Sequence, residues 1–159
     1  MKGKAIVLMG SERDLDFSHK ITKYLKLLEI DYEFRVASAH KTPEQVLNII
    51  KMFESEKIVY VTVAGRSNAL SAFVDANSSK PVIACPPYSE KFGGADIFSS
   101  LRVPSGIGSV VTIEPEGAAI ATAKIFALND EKINKIIKDY QFNKKKILAQ
   151  ANEKIGKLK

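Results

Sequence analysis

The 159 residues of the chain are enough for one domain with a sizeable core and too few for two. Hydrophobic residues make up 45% and charged residues 26%, a balance that excludes disordered and fibrous proteins. The single cysteine excludes an intrachain disulfide, and no apolar run approaches the roughly 20 residues that a transmembrane helix needs. We therefore expect no membrane partner. The apolar run at residues 5–9 is too short for a signal peptide and lacks a cleavage site, which favours a cytoplasmic protein.

The formal net charge of +6 is concentrated at the C-terminal end of the chain. Residues 130–159 hold nine lysines against four acidic residues, a net +5 that leaves +1 for residues 1–129. Apolar residues recur there at three- and four-residue spacing, which predicts an amphipathic helix with its lysines on the solvated face. Because this segment has no aromatic-interleaved basic groove, we expect no nucleic-acid partner. The apolar positions are Ile133, Ile136, Ile137, Tyr140, Ile147, Leu148, Ala151, Ile155 and Leu158.

Apolar, β-branched runs alternate with amphipathic stretches along the rest of the chain. The runs predict strands at residues 5–9, 32–36, 59–63, 81–84 and 110–113, and the amphipathic stretches predict helices at residues 14–28, 43–53, 67–75 and 117–128. This alternation is typical of a parallel sheet covered on both faces, so we predict a three-layer doubly wound α/β fold. We assign residues 1–129 to the α/β domain and residues 130–159 to a C-terminal helical extension of the same domain.

Ligands of doubly wound sheets bind beyond the carboxyl ends of the strands, and the loops after the first three strands carry polar clusters. The first cluster spans residues 9–14. Gly10 permits a tight turn, and the Ser11 hydroxyl with nearby backbone N–H groups suits a phosphate at a helix N-terminus. Asp14 suits ribose hydroxyls. The alternative is that Ser11 or Asp14 merely caps the helix.

The second cluster spans residues 38–43 and also connects a strand to a helix. Thr42 is a plausible N-cap residue, and Pro43 suits the first helical position. His40 would lie at the positive end of that helix, which favours a neutral imidazole and makes it a candidate proton carrier. Lys41 offers a charge for phosphate. The alternative is an ordinary surface histidine and lysine on a capped turn.

The third cluster spans residues 64–70. Gly65 lets the backbone approach a ligand, and Arg66 can bind a carboxylate through two donors, although a surface salt bridge would also explain it.

Cys85 follows the fourth strand without a neighbouring base and is interpreted as a small buried residue. Two histidines, one cysteine and no ligand motif predict no metal site. The irregular stretch at residues 85–108 is long for a connection, which is typical of functional loops.

Taken together and in this order, the clusters resemble the PurE family of purine biosynthesis. Family members pair Met-Gly-Ser-x-Ser-Asp with Ser-Ala-His-(Arg/Lys)-x-Pro, which match residues 9–14 and 38–43 here. The carboxylase branch carries Ala-Gly-Arg-Ser-Asn, as at residues 64–68, whereas the mutase branch carries a Gly-Ala run leading to a second histidine. Further matches lie at residues 85–87, 99–102, 104–106 and 115–117. Arg13 departs from the family, which usually has serine there.

The resemblance implies a flavodoxin-like fold and an enzyme that joins CO2 to C4 of 5-aminoimidazole ribonucleotide without biotin, ATP or metal. It implies that His40 moves the C4 proton, while Ser11 and Lys41 hold the phosphate. Asp14 would bind the ribose and Ser38 the region of the base. The N–H groups of Arg66 and Ser67 would stabilise the new carboxylate. The remaining implied substrate-binding residues are Gly10 and Gly65.

Two other functions stay open at this point. A mutase of the same fold would take the N5-carboxylated ribonucleotide, and a non-catalytic nucleotide-binding module would need only Ser11, Asp14 and Lys41. The resemblance also implies a homo-octamer. The apolar stripe of the C-terminal helix, which includes Ile137 and Leu148, is expected to need a partner surface that the α/β domain does not provide.

Overall fold

The computed structural model describes residues 3–158 and contains one five-stranded parallel sheet in the order β2-β1-β3-β4-β5. The strands are β1 Lys4–Met9, β2 Asp31–Val36, β3 Ile58–Val63, β4 Val82–Ala84 and β5 Val110–Val111. The helices are α1 Leu15–Leu27, α2 Pro43–Met52, α3 Ala69–Ala76, α4 Phe98–Leu101, α5 Pro115–Ala127 and α6 Glu131–Ile155. Strand β2 is added on one side of β1, and β3, β4 and β5 are added on the other side, as in flavodoxin-like folds. This order confirms the predicted doubly wound architecture.

Strands β1 and β3 form the centre of the sheet, and their side chains alternate between two cores. Val7 and Val61 face the core that is covered by α1, α5 and the first half of α6. Ile6, Leu8 and Tyr60 face the opposite core, which is covered by α2 and α3. All six residues of β3 are buried, which explains why its sequence is apolar at every position except Thr62 and does not alternate with solvent-facing polar residues.

The register of the sheet brings three strand ends to the same level. Met9 at the end of β1 pairs with Val36 at the end of β2 and with Val63 at the end of β3. Because the strands are parallel, the loops that follow them leave from one edge of the sheet. The three polar clusters of the sequence lie in these loops.

Differences from the predicted elements are confined to ends and loops. Helix α3 begins at Ala69 because Asn68 caps it, with its side-chain oxygen accepting from the backbone N–H of Ser71. Strand β5 has only two residues. The stretch predicted to be irregular contains α4 and two 3-10 turns. Gly93 and Gly94, which adopt left-handed backbone angles, separate the two 3-10 turns from each other.

Helix α6 corrects one expectation about the C-terminal segment. Its first half packs on its own domain, with Ile133 and Ile137 buried in the core beside α5. Tyr140 donates a hydrogen bond to Glu116 at 2.9 Å and fixes this half to the start of α5. The second half projects from the domain, and Leu148 is 71% exposed. Only the second half of the stripe therefore lacks a covering surface within the chain's described residues.

No helix within residues 3–158 has the length and apolar character needed to cross a membrane.

The packing of α6 makes a stability prediction. Replacing Ile137 by alanine should lower the free energy of unfolding by about 2–4 kcal/mol, because the side chain is buried and its removal leaves a cavity. The control is Leu27→Ala on α1, a 57% exposed position where the change should stay within about 0.5 kcal/mol. Urea denaturation measures both. Equal effects of the two substitutions would show that α6 is not part of the core.

Candidate active site

A cleft of about 720 Å³ lies at the edge of the sheet where β1, β2 and β3 end. All nine residues selected from the sequence line it: Gly10, Ser11, Asp14, Ser38, His40, Lys41, Gly65, Arg66 and Ser67. Arg13 joins them, as do Pro87, Tyr88 and Ser89 from the stretch after β4, which the sequence analysis did not select individually. Pro87 belongs to the family match at residues 85–87, and the signal for Tyr88 and Ser89 was the unusual length of the connection.

The loop after β1 is built around Gly10. Its backbone N–H donates to the carbonyl of Val63 at 2.9 Å and joins this loop to the end of β3. A Cβ atom at Gly10 would lie 3.2 Å from the Cβ of Ala64, so any larger residue would push the two loops apart. Ser11 caps the short 3-10 turn Glu12–Asp14, accepting from the backbone N–H of Arg13 at 3.3 Å. The Ser11 hydroxyl lines the cleft and can still donate to a ligand.

Asp14 is the acidic group in the lining of the cleft, and it is half-buried. Burial raises the pKa of this carboxyl above 3.8, because the charged form loses hydration. A hydrogen bond from the backbone of Ser11 acts in the opposite direction and is the weaker influence on the pKa. A carboxylate that is poorly solvated in the free protein is well placed to accept hydrogen bonds from ligand hydroxyls.

The loop after β2 is a turn tied by its own side chains. The Thr42 hydroxyl oxygen accepts from the backbone N–H of Ser38 at 3.0 Å, and the Ser38 hydroxyl accepts from the N–H of Lys41 at 3.3 Å. Thr42 is the N-cap residue of α2 by position, as predicted, but its side chain serves the turn instead of the helix. The turn leaves His40 and Lys41 exposed in the cleft lining, just before the N-terminus of α2.

The loop after β3 has an unusual backbone at Arg66, whose φ of 61° lies in the left-handed region. Its N–H donates to the Oδ2 atom of Asp96 at 2.9 Å, and its carbonyl accepts from the Ser99 hydroxyl at 2.7 Å. This corrects the expected carboxylate site, because the Arg66 N–H is already engaged. The Arg66 side chain and the N–H of Ser67 are two donors of this loop that can serve a ligand.

Cys85 supplies no reactive thiol to the cleft. Cys85 is fully buried, and burial, with a smaller effect of Glu114, raises the pKa of its thiol to about 12. A thiol with that pKa is an inert core group at neutral pH, as the sequence predicted. Within residues 3–158 no three His, Cys, Asp or Glu side chains are grouped to hold a metal ion.

The strand order and the polar cleft at the strand ends define a flavodoxin-like α/β protein. Residues 4–147 match the family model described as AIR carboxylase. The chain is 59% identical to the phosphoribosylaminoimidazole carboxylase of Archaeoglobus fulgidus over 152 residues, covering 96% of this chain and 84% of that protein. It is 46% identical to the phosphoribosylaminoimidazole carboxylase of Treponema denticola, covering 93% and 95% of the two chains.

The crystal structure of Treponema denticola PurE superposes on this chain with a TM-score of 0.94 at 43% identity, covering 96% of this chain and 98% of that one. The chain belongs to the AIR carboxylase family. The resemblance to PurE proteins that its motifs carry is confirmed.

The unfavourable burial of Asp14 gives a pH-dependent prediction. Because its pKa is higher in the folded than in the unfolded protein, the native state binds more protons between the two values, and stability falls as pH rises through that window. Above the window the ionised carboxylate lowers stability. Asp14→Asn should therefore raise the urea midpoint at neutral pH and lose this advantage as pH falls toward 3.8.

The exposed neighbour Asp16 in the first turn of α1 provides the control, and Asp16→Asn should leave the midpoint almost unchanged. A neutral-pH midpoint that falls in Asp14→Asn would show that the carboxylate stabilises the free protein instead.

Proposed function

We propose that this protein is a phosphoribosylaminoimidazole carboxylase that joins CO2 reversibly to C4 of 5-aminoimidazole ribonucleotide. The observation that supports it best is the convergence of His40, Asp14 and Arg66 from three separate loops on one cleft, in a chain of the AIR carboxylase family. The reaction makes the enzyme a carboxy-lyase of purine biosynthesis. Its substrate is a phosphorylated small molecule that does not cross membranes unaided, so we place the reaction in the cytoplasm.

The cleft has separate positions for the parts of the ribonucleotide. We assign the phosphate to the Ser11 hydroxyl and Lys41, which lie in neighbouring loops before the N-termini of α1 and α2. Asp14 would accept from the ribose hydroxyls, and Ser38 would contact the region of the base. Gly10 and Gly65 allow the backbone to approach the ligand. Arg13 adds a second positive charge to the phosphate end of the cleft.

The proposed reaction needs no cosubstrate to activate CO2 or the ribonucleotide. The aminoimidazole is an enamine, so electrons from its amino group make C4 nucleophilic, and C4 forms a bond to the carbon of CO2. The product of this addition carries both a proton and a carboxylate on C4. His40 accepts that proton, and the ring regains its aromatic character. Holding CO2 beside C4 supplies much of the rate enhancement, since well-oriented reactants avoid most of the entropic barrier.

The new carboxylate forms at the loop after β3. The Arg66 guanidinium can bind its two oxygens through two parallel hydrogen bonds, and the N–H of Ser67 can donate a third. These donors meet negative charge that develops during the addition, so they favour the transition state over the bound substrates.

The mutase of the same fold is the competing function. Residues 64–68 favour direct carboxylation, because they place Arg66 where the mutase branch has small residues leading to a second histidine. We expect the purified protein to form the 4-carboxylated ribonucleotide from aminoimidazole ribonucleotide and added CO2. It should form little from the N5-carboxylated ribonucleotide in CO2-depleted buffer. Absorbance of the product measures both.

His40→Asn is the matched control for this assay. It should abolish turnover while calorimetry still detects ribonucleotide binding, because the imidazole acts only after C4 has added to CO2. Efficient conversion of the N5-carboxylated compound without CO2 would contradict direct carboxylation and show that the protein is a mutase. If the unchanged protein binds the ribonucleotide but does not convert it, the protein is a non-catalytic nucleotide-binding module.

We also propose that the enzyme is a homo-octamer in which the second half of α6 packs on neighbouring subunits. Large apolar side chains stand exposed there and would be covered by such packing: Phe142, Ile147, Leu148 and Ile155. The lysines between them keep the isolated helix hydrated.

The double substitution Ile147→Asp and Leu148→Asp should lower the assembly state, because it places two carboxylates on an apolar contact surface. Light scattering measures the mass. Lys146→Asp is the control, since it alters charge on the same turn without removing apolar surface, and it should leave assembly unchanged. An intact octamer in the double variant would show that this half of α6 is dispensable for assembly.

A further inference from the structure

The segment between β4 and β5 is bonded to the loop after β3 by side chains from outside the cleft. The Ser99 hydroxyl oxygen accepts from the N–H of Asn68 at 3.0 Å, and its single proton lies within reach of two carbonyls, those of Arg66 and Asp96, each at 2.7 Å. The side-chain amide of Asn68 donates to Ser100 at 2.9 Å, and both of these residues are buried. Asp96 accepts from the N–H of Arg66 at 2.9 Å. We call Asp96 and Ser99 the clamp.

The clamp acts on the one residue of the cleft whose backbone is strained. Arg66 adopts a left-handed conformation that is unfavourable for a residue with a side chain. Such a conformation persists only where the surroundings hold it in place. The clamp does so from both sides, because Asp96 holds the N–H and Ser99 holds the carbonyl of this same residue.

Neither clamp residue lines the cleft, so neither is placed to contact substrate. Asp96 lies against the loop after β3, where its Oδ2 atom would be 3.7 Å from a Cβ added to Gly65. Residues that do not line the cleft act on a ligand mainly through the loop that they hold. We propose that Asp96 and Ser99 are positioning residues that fix Arg66 and Ser67 in the geometry that receives the C4 carboxylate.

This inference rests on the proposed carboxylation and makes a separate claim about it. The phosphate and ribose positions belong to the loops after β1 and β2, which the clamp does not touch. Loss of the clamp should therefore weaken binding of the carboxylated product while sparing the uncarboxylated ribonucleotide. A general loss of stability would weaken both alike.

The test compares Asp96→Ala with Asp96→Asn by calorimetry against both ribonucleotides and by steady-state kinetics. Asp96→Ala should lower affinity for the 4-carboxylated ribonucleotide about tenfold and kcat by up to about 100-fold, with affinity for the uncarboxylated ribonucleotide unchanged. Asp96→Asn keeps a side-chain oxygen that can accept from the Arg66 N–H, and it should restore most of both losses.

Asp75→Ala is the matched control, because Asp75 accepts from the N–H of Gly108 at 2.7 Å and tethers the other end of the same segment. It should leave the ratio of the two affinities unchanged. If Asp96→Ala does not fold, Ser99→Ala removes the other half of the clamp and should show the same selective loss.

Wild-type affinities and kcat in a folded Asp96→Ala or Ser99→Ala protein, or equal loss of both ligands, would overturn the inference. Absence of turnover in the unchanged protein would instead overturn the proposed function, so the two failures are distinct.

Discussion

Parallel pairing of β1 with both β2 and β3 is the constraint on which the site depends. It sets Met9 opposite Val36 and Val63, so three chain segments leave the sheet at one level. The pairing is held by burial on both faces, with Ile6 and Leu8 in one core and Val7 in the other. A shift of one residue in this register would exchange the two sets of side chains and separate the loops. Strand burial therefore determines where the polar groups of the cleft meet.

The cleft contains features that are unfavourable in the free protein and useful in the proposed reaction. Burial raises the pKa of Asp14, because its carboxylate loses hydration that the hydrogen bond from the Ser11 backbone does not fully replace. Arg66 holds a left-handed backbone that its neighbours must maintain. Asp96 and Ser99 contact the Arg66 N–H and carbonyl, and the buried contact between Asn68 and Ser100 joins the same two segments. A preorganised site of this kind spends little energy on rearrangement when charge develops on the substrate.

The sequence predicted the parts of the site that are local in the chain and missed those that depend on distant contacts. Gly10, His40 and Gly65 were found because each follows an apolar strand and precedes a helix. Asp96 was not found, because it contacts Arg66 from 30 positions further along the chain, in a segment that carries no periodic pattern. Dependence on distant contacts also explains the incomplete prediction for α6. Its apolar spacing predicted a helix, but tertiary packing decides that only its first half is buried beside α5.

A crystal structure of the protein with the 4-carboxylated ribonucleotide would test the central claim, that three strand-end loops form one carboxylation site. We expect the phosphate at Ser11 and Lys41, the carboxylate at the Arg66 side chain and the N–H of Ser67, and the His40 imidazole within hydrogen-bond distance of the C4 substituents. A ligand bound with its carboxylate away from the loop after β3, or with its ring out of reach of His40, would contradict the account.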